Sequence, residues 1–210
     1  MTFDEIGQRH GTDKASFIVR GANFAEFSRE GQPIVGHGYL SAYEALLGHR
    51  RGEALWILEI GVQRGYGLMT YEDCFERAEV VGIDVAPMCV PSDFRRAELV
   101  VMDAYDAAAR DRFFTERGDF DLIVDDASHQ SARQIELLGA LFARVRPGGY
   151  YVVEDVECGF EPYYGGNPEG GPGSIVWRLM EAARDALGGR PGSVGVHCYR
   201  GIAFLERGPA

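Results

Sequence analysis

The stretch Asp121-Leu-Ile-Val-Asp125-Asp126-Ala-Ser-His129 decides how the rest of the chain is read. Leu122-Ile-Val124 has the apolar character of a short strand covered on both faces, and it runs into two adjacent carboxylates with an imidazole three residues past the second. Unpaired charges resist burial unless a cation or a proton joins them, so this arrangement suits a site better than a core. A second acidic group closes the next strand, in Tyr150-Tyr-Val-Val153-Glu154-Asp155-Val-Glu157. If the two strands are neighbours in a parallel sheet, Asp126, Glu154 and Asp155 converge at its carboxyl edge, where open α/β folds place their ligands. Three hard oxygen donors with His129 beside them point to a divalent metal and a general base next to it.

Working outward, strand and helix alternate. Leu55-Trp-Ile-Leu58 reads as a buried strand that ends in Glu59-Ile-Gly61-Val-Gln-Arg-Gly65-Tyr-Gly67, followed by a helix to about Arg77. Glu79 to Ile83 is a strand ending at Asp84, and Glu98 to Met102 is another ending at Asp103, with a helix from Ala107 to Glu116 after it. A helix from Gln130 to Val145, stopped by Pro147-Gly-Gly149, precedes the Tyr150 strand. This alternation implies right-handed βαβ units and a parallel sheet. Gly159 to Gly173 is too glycine-rich to read as a packed element and is expected to be a mobile loop over the carboxyl edge. A helix from Ile175 to Leu187 follows, then Val194 to Tyr199 and Ile202 to Leu205 form a closing hairpin. Residues 1 to 50 have the character of a helical cap, with turn clusters at Gly11-Thr-Asp-Lys14 and Gly31-Gln-Pro33 and a helix from Leu40 to Leu47; residues 51 to 210 form the ligand-binding domain.

Composition narrows the function. A chain of 210 residues fits one α/β domain with a modest extension, and at this size roughly 70% of the unfolded surface can be buried. The formal charge of -11 and the absence of a basic stripe argue against a nucleic-acid partner. No run of apolar residues is long enough to span a membrane, and Met1-Thr-Phe-Asp-Glu5 lacks the features of a signal peptide, so a cytoplasmic location is expected. Cys74, Cys89, Cys158 and Cys198 are scattered, which fits neither a zinc site nor a disulfide framework.

The glycine turn after the first strand lets backbone approach a ligand, but its spacing differs from Gly-x-Gly-x-x-Gly. Glu59 repels a pyrophosphate and welcomes an ammonium group, Asp84 can accept two ribose hydroxyls, and Asp103 can accept from an adenine amino group. A ligand with adenine, ribose and a cationic tail therefore fits better than a dinucleotide, and a nicotinamide-dependent oxidoreductase is the weaker alternative.

Leu58-Glu59-Ile-Gly61 with Gly65, Gly82-Ile-Asp84, Asp121-Leu-Ile-Val-Asp125 and Arg146-Pro-Gly-Gly149 together resemble the motif series of class I S-adenosylmethionine-dependent methyltransferases. The resemblance implies a Rossmann-like α/β fold with a seven-stranded, mostly parallel sheet and an antiparallel C-terminal hairpin. Gly11-Thr-Asp-Lys14, His37-Gly-Tyr39, Asp125-Asp126-Ala-Ser-His129 and Val153-Glu154-Asp155 are similar to the metal-dependent sugar O-methyltransferases of antibiotic biosynthesis. That narrower resemblance implies Mg2+, with Mn2+ as the alternative, on Asp126, Glu154 and Asp155, His129 as general base, and a small-molecule glycoside as acceptor. The cofactor, S-adenosylmethionine, would lie against Glu59, Gly61, Gly65, Asp84 and Asp103. A homo-oligomer is expected, and a catechol or phenol acceptor is the nearest rival to the sugar. Lys14 and Tyr39 are open between contact with cofactor or acceptor and simple local packing. Tyr163 and Tyr164 are open between stacking on the acceptor and loop packing.

Overall fold

The structure is a computed structural model and describes residues 1–18, 34–189 and 195–208. The expected turn at Gly31-Gln-Pro33 and the start of the hairpin at Val194 lie outside the described residues. In chain order the elements are α1 (Phe3–His10), β1 (Phe17–Ile18), β2 (Ile34–Val35), α2 (Leu40–Leu47), β3 (Trp56–Ile60), α3 (Tyr66–Cys74), β4 (Glu79–Asp84), β5 (Glu98–Val101), α4 (Ala107–Arg117), β6 (Phe120–Asp125), α5 (Ser131–Leu141), β7 (Val145–Glu154), α6 (Ile175–Leu187), β8 (Gly195–Tyr199) and β9 (Ile202–Glu206).

Seven strands form one sheet in the order β5-β4-β3-β6-β7-β9-β8. The first five pair in parallel and the last two antiparallel, as the sequence implies. Alternation along each strand feeds two cores. Ile57, Leu122, Val124 and Val152 face the layer of α1, α2 and α3 with Tyr43, Leu68 and Phe75. Leu58, Ile123, Tyr151 and Val153 face α4, α5 and α6 with Phe113, Leu138 and Leu179. Burial on both faces is why these strands read as continuous apolar runs; each fully buried large apolar side chain contributes about 1.5–3 kcal/mol.

Two sequence expectations are corrected. The helix expected to reach Val145 ends at Leu141, and β7 already begins at Val145. Between the pairs Phe120 with Val145 and Leu122 with Tyr150 the register shifts, so Arg146-Pro147-Gly-Gly149 is a bulge inside the strand rather than a stop before it. A bulge is one of the few places where a strand tolerates proline. The Gly159 to Gly173 segment, although mostly exposed, carries hydrogen-bonded turns that its composition does not announce. It contributes to two 3₁₀ turns, Val156–Phe160 and Pro162–Tyr164, and the amides of Gly166 and Asn167 donate to Glu161 and Gly159.

The N-terminal residues share the main core. Phe3, Ile6, Tyr39, Leu40 and Tyr43 pack with Leu55, Ile57 and Phe204 on the sheet. Helix α1 starts in a capping box in which the Thr2 hydroxyl accepts from the Glu5 amide and the Glu5 carboxylate accepts from the Thr2 amide. The turn that carries Lys14 is clamped against the chain entering α2: the amides of Gly36, His37, Gly38 and Leu40 donate to the carbonyls of Ser16, Asp13, Ala15 and Lys14. A Cβ on Gly36 would stand 2.0 Å from the Ala15 carbonyl oxygen and 2.7 Å from that of Asp13. Gly36→Ala is therefore expected to lower stability by about 1–3 kcal/mol in urea unfolding, and an unchanged midpoint would show that the clamp is not tight.

Candidate active site

The strand order reverses between β3 and β6, and ligands of open α/β sheets bind outside the carboxyl ends at such a point. There the Gly61 amide donates to the Ile83 carbonyl and the Asp126 amide to the Ile60 carbonyl, both at 2.9 Å, which fixes the two turns leaving the sheet. Two cavities meet at Gly61, Asp84 and Ala127. One, of about 290 Å³, is polar and lined by residues that include Lys14, Glu59, Asp126, His129 and Asp155. The other, of about 340 Å³, is lined largely by apolar groups such as Ile60, Ile83 and Met102, with Asp103 at its wall.

Lys14 stands at the centre of the polar cavity and is 3% exposed. Its Nζ lies 2.5 Å from Asp126 Oδ2, bonds to Glu154 Oε2, and sits 3.4 Å from Glu59 Oε1. Glu154, 1% exposed, accepts a second bond from the Tyr43 hydroxyl at 2.6 Å. Burial pulls Lys14 toward its neutral form, but Asp126 and Glu154 outweigh it and hold the ammonium well above the usual lysine range. Burial raises the carboxyls of Asp126 and Glu154 against the pull of Lys14, and pushes Glu59 up to about 7. Asp126, Glu154 and the nearby Asp155 together exceed the single Lys14 charge by two when ionised, which is the charge of one divalent ion.

Asp155 follows β7 with φ 52°, a conformation that turns its carboxylate away from the strand's alternation. One of its oxygens accepts from the Tyr39 hydroxyl at 2.7 Å, with His37 Nδ1 at 3.7 Å. The other lies 3.4 Å from His129 Nδ1, which is buried and makes no hydrogen bond. His129 itself has φ 55°. Ligand atoms of Asp126, His129 and Asp155 fall within 4.8 Å of one another, a grouping that suits a metal ion; Glu154 is outside it, its oxygens engaged by Tyr43 and Lys14.

The remaining expected residues line the cavities. Asp84 Oδ2 accepts from the amides of Val62 and Gln63 at 2.9 and 2.8 Å and its Oδ1 from Ala86, so it braces the glycine turn while retaining lone pairs for a ligand. Asp103 accepts from the Tyr105 amide at 2.8 Å. Gly61 is pressed against the Asp126 carbonyl, and Gly65, at φ 81°, caps α3 beside the Phe94 ring. A Cβ on Gly67 would meet the Glu59 carboxylate at 2.3 Å, so the third glycine of the turn is what lets that carboxylate lie beneath the helix start. Glu59 Oε2 is buried without a partner.

Sequence reading gave Tyr43 no role and left Lys14 and Tyr39 open. Lys14 meets partners 112 and 140 residues away, which no local spacing signals. Tyr163 is 84% exposed, whereas Tyr164 presents a ring edge to His129 at 6.4 Å between centroids.

No family model matches the chain. It is 30% identical over 195 residues to the mycinamicin VI 2''-O-methyltransferase of Micromonospora griseorubida, an alignment covering 82% of this chain and 48% of that protein. It is 31% identical over 191 residues to the 8-demethyl-8-alpha-L-rhamnosyl tetracenomycin-C 2'-O-methyltransferase of Streptomyces olivaceus, covering 81% of this chain and 50% of that one. The fold matches that of the MycE methyltransferase from the mycinamycin biosynthetic pathway, in complex with Mg and SAH, with a TM-score of 0.80 at 27% identity over 99% of this chain and 55% of the other. The chain spans about half the length of the curated relatives it matches. It is a homologue of the sugar O-methyltransferases of the macrolide and tetracenomycin pathways and has their Rossmann-like class I methyltransferase fold.

Proposed function

We propose that the chain is the catalytic domain of a metal-dependent O-methyltransferase that moves a methyl group from S-adenosylmethionine to a sugar hydroxyl of a glycosylated small molecule. The observation that carries this reading is the meeting of Asp126, His129 and Asp155 within 4.8 Å beside a cavity lined by Glu59, Gly61 and Asp84. The unpartnered Glu59 Oε2 suits the ammonium of the cofactor's methionine moiety. Asp84 is assigned to the ribose, and the largely apolar cavity with Asp103 to adenine. Gly61 and Gly65 keep the turn close to the cofactor. The oxygen donors of Asp126 and Asp155 fit Mg2+ or Mn2+, and Glu154, held here by Tyr43 and Lys14, would complete the set once Lys14 Nζ leaves its Oε2.

When bound, the divalent ion supplies Lewis-acid polarisation of the acceptor and S-adenosylmethionine supplies the methyl group. The protein's own part is positioning and proton removal. His129 accepts the hydroxyl proton on its ring, and Asp155 Oδ2, 3.4 Å from Nδ1, stabilises the resulting cation. Tyr39 holds Asp155 through its other oxygen. Residues 1–50 serve as the cap over this edge, since Thr12, Asp13 and Lys14 line the cavity, and residues 51–210 bind the cofactor. Among the described residues no helix is long and apolar enough to cross a membrane. Action in the cytoplasm as a homo-oligomer belongs to the same proposal.

The test is methyl transfer from labelled S-adenosylmethionine to rhamnosylated or similarly glycosylated polyketides. Turnover is expected to require added Mg2+ or Mn2+ and to stop in chelator; full turnover in chelator would remove the metal from the mechanism. His129→Ala is expected to lower turnover by about 10²- to 10⁴-fold with S-adenosylhomocysteine affinity kept, and near-normal rates would assign the proton to another group. Asp84→Ala is expected to weaken S-adenosylhomocysteine about tenfold or more by calorimetry, and unchanged affinity would move the ribose elsewhere.

A further inference from the structure

The chain holds twenty arginines and one lysine, and the lysine is the residue buried among Glu59, Asp126 and Glu154. Elsewhere ion pairs to acids on α2, α3, β5 and β6 use Arg51, Arg95, Arg117, and Arg50 with Arg146. An ammonium is a compact point charge with three donors that turn freely, and here it faces three carboxylates from three strand ends. A planar guanidinium offers no such fit. The four-carbon stem also lets the charge shift by an ångström or two while its backbone stays clamped by the Leu40 amide and the Gly36 turn.

Resting on the metal reading above, we propose that Lys14 is an intramolecular cation that competes with the divalent ion for Asp126 and Glu154. Two of the three carboxylates assigned to the ion, Asp126 and Glu154, are also the two nearest partners of Nζ. Asp126 additionally belongs to the group formed with His129 and Asp155, so one carboxylate is shared by the two cations. A dication cannot sit against these oxygens without repulsion from an ammonium at contact distance. Entry of the ion therefore drives Lys14 away from Asp126 and Glu154 toward Glu59, already 3.4 Å from Nζ. Lys14 keeps the acids together without a metal and sets how tightly the metal binds.

Mn2+ binding followed by electron paramagnetic resonance on the purified, chelator-treated chain tests this without an activity assay. Lys14→Met and Lys14→Gln are expected to bind Mn2+ about tenfold or more tightly than wild type, equivalent to roughly 1.4 kcal/mol, because the competing charge is gone. Equal or weaker binding in a variant shown to be folded by circular dichroism overturns the competition and leaves Lys14 as an anchor only. If the Met variant does not fold, the Gln variant, which keeps two donors, decides. A measurement on wild type stands beside these: a single lysine gives a single 13Cε signal, expected to move on titration with Mg2+ and to saturate at one ion per chain. A signal that stays in place while Mg2+ binds overturns the proposal. Absence of any Mn2+ binding to wild type removes the metal reading itself, and the competition with it.

Discussion

Three carboxylates carried by three neighbouring strands share one small volume only because a positive charge sits among them. Glu59 on β3, Asp126 after β6 and Glu154 on β7 come together because those strands are adjacent and parallel, so that their carboxyl ends point the same way. Without a counter-charge their burial would force protonation or push the strand ends apart. Lys14 supplies one positive charge from the N-terminal segment, and the negative charge left over on the acids is what the proposed divalent ion would meet. The capping segment is thus tied to the site through the electrostatics that define it.

Around this cage the fold divides the work. Asp155, in its left-handed conformation, leaves the alternation of β7 and brings its carboxylate between Tyr39 on one side and His129 on the other. A regular strand would have sent Glu154 and Asp155 to opposite faces of the sheet. In the turn after β3, assigned to the cofactor, Asp84 braces the amides and Gly67 makes room for the Glu59 carboxylate. Backbone strain at His129 and Asp155 falls where the chemistry is assigned, as is usual where geometry rather than stability sets the conformation.

Much of this was legible in the sequence because it is local. Buried strands read as apolar runs, the acids at their ends mark the carboxyl edge, and α2 and α6 have the expected bounds, since each helix is followed directly by a glycine, Gly48 or Gly188. Helix α1 escaped notice although Thr2-Phe-Asp-Glu5 carries the capping-box pattern. The start of β7 was hidden because Pro147-Gly-Gly149 looks like a terminator and is a bulge. Lys14 was illegible for a different reason: its role is defined by groups 45 to 140 residues away that only the sheet order brings together. The turns of the Gly159 segment likewise depend on backbone hydrogen bonds that composition does not reveal.

The convergence of acids on a divalent ion beside His129 is tested most directly by anomalous diffraction from crystals soaked with Mn2+ and S-adenosylhomocysteine. The expected result is one peak per chain within about 2.0–2.3 Å of carboxylate oxygens from Asp126, Glu154 and Asp155, with Lys14 Nζ displaced from Asp126 and Glu154. A peak remote from these carboxylates, or none at millimolar Mn2+, would contradict it.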